Sequence, residues 1–312
     1  MAVRLGIDLG GTKIEGVALA RANTTPTGEG DAAEHIVARE RVATPMADYL
    51  ATVDAVVGLV RRLEQQVGAS GLPVGIGTPG AVSTLTGTMK NCNSTCLNGR
   101  HLREDIASAL GRSVRIANDA DCFALSEATD GAAAGAGLVF GVILGTGVGG
   151  GIVCRGQLLQ GPNAIAGEWG HNLLPGIGSF FEDERRACYC GRENCIETYL
   201  SGAGLARTYQ ALGGGDLLAT DIAARMHSDA IAAAALDRYQ QQLAYALAQV
   251  INVLDPHVIV LGGGLSNIDS LYTAVPHFWQ AHVFSDLIAT QLRPAAHGDS
   301  SGVRGAARLW RE

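Results

Sequence analysis

Apolar residues cluster from Val3 to Leu9, broken at Asp8, and again from Ile14 to Ala20, with Gly10-Gly11-Thr12-Lys13 between them. Two short apolar runs joined by a glycine turn predict a hairpin. The polar stretch 21–34 reads as an exposed turn, and His35 to Ala43 as a third strand. Over 47–67, Leu50, Val53, Val57, Val60 and Leu63 recur at spacings of three and four, which predicts an amphipathic helix with those residues on its buried face. Val74 to Gly77 is a buried strand halted at Thr78-Pro79-Gly80; a helix over 102–110 then leads to the strand Val114–Ala117. The order is βββαβαβ.

The pattern then restarts. Leu5-Gly6-Ile7-Asp8-Leu9-Gly10 can be laid on Phe140-Gly141-Val142-Ile143-Leu144-Gly145, with Gly16 falling on Gly151 at the same offset. A repeat this long lies outside the solenoid range of about 20–50 residues and points to two copies of one α/β domain. A periodic helix over 229–254 is stopped by Asp255-Pro256, and the strand Val258–Leu261 opens onto Gly262-Gly263-Gly264. The stretch 302–310 is expected to be a helix returning to the first domain. The expected domains are 1–118, completed by 302–312, and 119–301.

Composition narrows the function classes. The chain has 312 residues, 47% hydrophobic and 17% charged, with a net charge of −7 and no long basic run. That argues against a nucleic-acid backbone as ligand. No apolar stretch reaches the roughly 20 residues needed to cross a bilayer, and Met1-Ala2-Val3-Arg4 predicts no leader, so a cytoplasmic protein is expected.

Three glycine turns follow buried strands: Asp8 to Lys13, Gly145-Thr146-Gly147 and Gly262-Gly263-Gly264. Glycine lets backbone N–H groups approach a polyphosphate closely, and Thr12 and Thr146 add hydroxyl donors. Together the turns suggest a nucleotide clamped in a cleft between duplicated domains. Asp8, an acid inside an apolar strand, fits a water-mediated Mg²⁺ contact, or it bonds its own turn. Asn118-Asp119 reads either as a helix N-cap or as the place of a general base for a sugar hydroxyl. His171 with Cys188, Cys190 and Cys195 suits a closed tetrahedral Zn²⁺ site, which would gather Glu168, His171 and Glu197.

On these motifs, with Gly75-Ile-Gly-Thr-Pro-Gly80 and Gly167-Glu-Trp-Gly-His171, the sequence resembles the ROK family of repressors and sugar kinases. The resemblance implies the actin-like (ribonuclease H-like) fold, two duplicated α/β domains about a central cleft. It implies ATP, Mg²⁺ and structural Zn²⁺, with a dimer surface on the second domain and a homodimer. Asp119 would be the base, and Asn93, Asn118, Glu168, His171 and Glu197 would hold the hexose. ATP would lie against Asp8, Gly10, Gly11, Thr12, Lys13, Gly145, Thr146, Gly147, Gly262, Gly263 and Gly264. His171, Cys188, Cys190 and Cys195 would hold zinc, the other ring nitrogen of His171 facing the sugar. Asn194 stands where the family's zinc loop has glycine, at a left-handed position that tolerates Asn. Within the family, Lys90 to Gly99, Asn118 to Gly135 and His297 to Gly305 look like the bacterial fructokinase branch, making fructose 6-phosphate. The alternatives are a kinase for glucose, mannose or an N-acetylated hexosamine, and a sugar-binding ATPase. A sugar-responsive repressor is disfavoured, because the first strand begins at residue 3 with no helix-turn-helix before it.

Overall fold

The computed structural model describes residues 2–21, 34–176 and 185–310; most of the turn expected over 21–34 lies outside them. Two compact units are formed, Met1–Asp130 with Leu158–Ala166 and Ser300–Glu312, and Gly131–Gln157 with Gly167–Asp299.

The first unit holds β1 (Val3–Leu9), β2 (Lys13–Arg21), β3 (Glu34–Ala43), β4 (Val74–Thr78) and β7 (Val114–Asn118), ordered β3-β2-β1-β4-β7, beside a two-stranded ribbon of β5 (Ala81–Val82) and β6 (Met89–Lys90). The second sheet comprises β8 (Leu138–Leu144), β9 (Val148–Cys154), β10 (Gln157–Leu158), β11 (Val258–Gly262) and β12 (Gln291–Pro294), ordered β10-β9-β8-β11-β12. In both, an antiparallel hairpin is extended by two parallel strands. The shared order makes the duplication visible in the backbone. It also corrects the alignment of the repeat. Ile7 faces Gly16, whereas its counterpart Val142 faces Gly150. The second turn is one residue shorter, so Gly16 corresponds to Gly150, not Gly151. Every residue of β4 and of β11 is buried, as parallel strands covered on both faces require.

Helix α1 (Tyr49–Gln66) is capped by the Asp48 side chain, which accepts from Ala51 N, and it packs Val53, Val56, Val60 and Leu63 on the sheet. Leu50, expected on that face, is 72% exposed, because Tyr49, four residues before Val53, takes the place. Helix α2 (Leu102–Leu110) ends at Gly111, and α3 (Asp119–Thr129) follows β7 directly. The sequence put α3 in the second domain. By its contacts it belongs to the first, and the chain leaves that unit after Asp130. The cause is α9 (Ser301–Ala307), which lies on β1 and β4 and against α3. In the second unit, α4 (Glu197–Leu200), α5 (Gly202–Ala211), α6 (Ala219–Ala224), α7 (Ala230–Leu254) and α8 (Leu271–Trp279) cover the sheet. The Asp229 carboxylate caps α7 by accepting from Ile231 N and Ala232 N. Among the described residues no helix is long and apolar enough to cross a membrane.

Helix α9 meets the first sheet backbone to backbone. A Cβ on Gly6 would stand 2.1 Å from Val303 O, and one on Gly75 would stand 1.8 Å from Ala306 O. Gly75→Ala is therefore expected to destabilise the protein by about 3 kcal/mol or more, measured as a lower midpoint in urea denaturation.

Candidate functional site

In the first unit, Asp8 lies near the end of β1, between buried Ile7 and Leu9, facing Glu15 on β2 and Gly77 on β4. Positions 77 and 302 carry no side chain, and a Cβ there would come within 3.8 Å and 3.5 Å of the Asp8 oxygens. Asp8 thus occupies a glycine-walled bay. Burial raises its pKa to about 6, reinforced by the charges of Asp119 and Glu15 and opposed by Lys13. Two acids far apart in sequence, Asp8 and Asp119, therefore feel one another.

At the start of α3, Asn118 supplies the N-cap: its Oδ1 accepts from Ala120 N at 2.9 Å and its Nδ2 donates to Gly80 O at 3.2 Å. Asp119 Oδ1 accepts from the same N–H at 2.8 Å. Because Asn118 caps the helix, Asp119 is not required for that role. The Gly10 to Lys13 turn closes through Gly10 N–H to Lys13 O (3.1 Å), and the Thr44 hydroxyl donates to Gly10 O (2.7 Å). Gly10, Gly11, Thr12 and Asn93 line one cavity of about 360 Å³. The loop carrying Asn93 is held by Asn98, whose side chain both accepts from Cys92 N and donates to Cys92 O. The sequence reading gave Asn98 no role.

In the second unit, Gly167 has φ 89°, and a Cβ there would stand 2.2 Å from Gly150 O. With Trp169 Nε1 donating to Gly149 O (3.1 Å) and its ring edge-on to Phe140, the Gly167 to His171 segment is stapled to β9. Glu168 is half-buried there. Glu197 opens α4, and its Oε2 accepts from Val148 N at 2.9 Å, beneath Gly147. The Gly145 to Gly147 turn is fixed in turn by Gly202 N–H donating to Gly145 O (2.8 Å). After β11, Gly263 has φ 81° and passes close to Leu144 O, while Gly264 opens a cavity of about 530 Å³ lined by Thr220, Ala223, His227, Asn267 and Ser270. That cavity was missed in the sequence, since nothing in it signalled the short helix α6 on its wall.

The ligand atoms of His171, Cys188, Cys190 and Cys195 all lie within 4.8 Å of one another. His171 Nδ1 is 3.6 Å from Cys188 Sγ, and Cys190 Sγ is 3.6 Å from Cys195 Sγ. Four donors at about 2.0–2.3 Å from one tetrahedral ion would be about 3.5–3.8 Å apart, so the donor set fits zinc. Partial burial opposes ionisation of Cys190, yet hydrogen bonds from Arg192 bring its thiol down to about 6, towards the ligating thiolate. Asn194 has φ 57°, the left-handed backbone expected of it. The remaining nitrogen of His171, Nε2, is 3.0 Å from the Tyr189 hydroxyl.

A model of the ROK family matches residues 4–312. Across 97% of its length the chain is 42% identical to an N-acetyl-D-glucosamine kinase of Photobacterium profundum, of which it covers 98%. Among solved structures it is similar to a ROK hexokinase from Thermus thermophilus (TM-score 0.82, 28% identity, 98% of this chain and 96% of that one). It is also similar to a ROK family glucokinase from Streptomyces griseus in complex with glucose and AMPPNP (TM-score 0.76, 25% identity, 98% of each chain). The fold is that of the actin-like ATPases, as expected. The fructokinase branch expected from three stretches is not what this relative shows; its name carries the hexosamine alternative instead.

Two outcomes test this geometry. The folded pKa of Asp8, about 6, lies above its ordinary 3.8. Its charge therefore destabilises the fold above pH 6, and the penalty fades as pH falls towards 4. Asp8→Asn should raise stability at pH 8 by about 2–3 kcal/mol and gain nothing near pH 4, read from denaturation curves at the two pH values. Metal analysis of protein purified without chelator should find near-stoichiometric zinc, and Cys190→Ser should lose it.

Proposed function

We propose that this chain, which belongs to the ROK family, transfers the γ-phosphoryl group of ATP to a hydroxyl of a hexose, and that the hexose is N-acetyl-D-glucosamine. The observation that carries the reading is Asp119: a carboxylate at the head of α3, near Asp8, whose capping duty Asn118 already performs. In phosphoryl transfer the protein mainly positions reactants and offsets charge. Asp119 takes the proton of the sugar hydroxyl as its oxygen attacks the γ-phosphorus and the bond to ADP breaks. Asn93, Asn118, Glu168, His171 and Glu197 are the residues assigned to the sugar hydroxyls. The backbone N–H groups of the three glycine turns donate to phosphate oxygens, with Thr12, Lys13 and Thr146 beside them, and the cavity at Gly264 takes the base of the nucleotide. Mg²⁺ bound with the phosphates would be met by Asp8 and would neutralise charge during transfer. Zinc, held by His171 and the three cysteines, would shape the loop that leads into Glu197.

The hexosamine is chosen over fructose on the 42% identity to an N-acetyl-D-glucosamine kinase along nearly the whole chain. Fructose remains the second reading, on the stretches Lys90 to Gly99, Asn118 to Gly135 and His297 to Gly305. A cytoplasmic homodimer belongs to the same proposal. A coupled assay over N-acetylglucosamine, N-acetylmannosamine, glucose, mannose and fructose is expected to give the highest kcat/KM for N-acetylglucosamine. A preference for fructose would restore the second reading, and no turnover with any hexose would overturn both. Asp119→Asn should keep the fold, by circular dichroism and melting temperature, and lower kcat by about 10²–10⁴-fold. Near-normal turnover in that variant would remove Asp119 from the chemistry.

A further inference from the structure

Tyr189 stands between two of the zinc-loop cysteines, and neither the glycine turns nor the sugar ligands account for it. Its side chain is 75% exposed. Among the described residues its hydroxyl makes one hydrogen bond, to His171 Nε2 at 3.0 Å, with the two rings edge-on at 5.2 Å and 83°.

His171 Nδ1 is turned to Cys188 and the metal-ligand cluster, so the ring proton belongs on Nε2. One N–H can serve one acceptor well. The Tyr189 oxygen now occupies the place that a sugar hydroxyl needs. We infer that Tyr189 is a gate on the sugar subsite, competing with the hexose for His171 Nε2 and swinging outward when the sugar enters. The inference rests on the hexose-kinase reading above. The loop itself need not move: Cys188 N donates to Arg192 O (2.8 Å) and Gly191 N to Cys188 O (3.0 Å), so the backbone is held while the exposed ring turns about its own side-chain bonds.

The test is Tyr189→Phe, which keeps the ring and removes the acceptor. With the best hexose of the panel, KM and the calorimetric Kd for sugar should both fall by about threefold to tenfold, the worth of one neutral hydrogen bond no longer broken. kcat and zinc content should stay as in the parent protein. Unchanged KM and Kd would overturn the gate, and a rise in both would make Tyr189 a sugar ligand instead. A parent protein that phosphorylates no hexose would sink the underlying reading, an outcome separate from either result on the variant.

Discussion

The first unit depends on a helix that touches its sheet with no side chains between. Gly6 on β1 and Gly75 on β4 let α9 settle onto the strands, and Gly305 lets it approach α3, where a Cβ would stand 1.7 Å from Cys122 O. Close approach on both sides makes α9 a rigid spacer, because any added volume must displace backbone. β1 carries Asp8 and α3 begins with Asp119, so the distance between the two acids is fixed by the element wedged between their supports. Charge reinforces the wedge. Arg308 is wholly buried and donates to Glu34, to Asp130 and to Ser126 O, while Arg304 donates to Asp130. A buried guanidinium is tolerated only when its donors are matched in this way.

The second unit solves the same problem of holding a loop with a different device. Arg186, just before the cysteines, donates to Thr198 O, Gly204 O and Thr208 Oγ1, and its guanidinium lies 4.2 Å from the Tyr199 ring centre. Asn194 completes the arrangement. Its side chain accepts from Arg186 N at 2.8 Å and from the Tyr199 hydroxyl at 2.9 Å. Asparagine in place of the family's glycine therefore adds two hydrogen bonds rather than loosening the loop. Anchored through Tyr199 and Thr198, α4 and its Glu197 are tied to the protein's own bonds as well as to the cysteines.

Much of this was legible in the sequence because the signals were local. Strand runs, the α7 period, the glycine turns and the His and Cys spacing each follow from a few neighbouring residues. What was not legible depended on contacts distant along the chain. Nothing in Asp119–Thr129 says that α9 will bind it, so the helix was assigned to the wrong unit; it is buried on nearly every side and carries no amphipathic stripe. The repeat was aligned correctly up to the first turn and slipped by one residue after it, since a turn shortened by one shifts all that follows. The cavity at Gly264 and the contact of Tyr189 with His171 come from segments whose meeting no periodicity records. The identity of the sugar was not legible for a related reason: the motifs assigned to phosphate, base and hydroxyls address features common to all hexoses, so they are silent about the substituent that distinguishes one from another.

The pair of acids ties stability to function. Burial is the main penalty on ionising Asp8, and repulsion from the nearby carboxylates of Asp119 and Glu15 adds to it, which is why Asp8 holds its proton up to about pH 6. A carboxylate that serves only the fold gains nothing from such a place. On the proposed function, a cation at Asp8 would offset the repulsion and leave Asp119 free to act as a base near neutral pH. The cost of ionising Asp8 would then become binding energy for the cation and the phosphates that accompany it, since any ligand that favours the ionised native state stabilises that state. Glycine at 77 and 302 keeps the bay open, and the α9 wedge keeps its two acids apart. On the proposed function, this electrostatic penalty sits where a metal–nucleotide complex would relieve it.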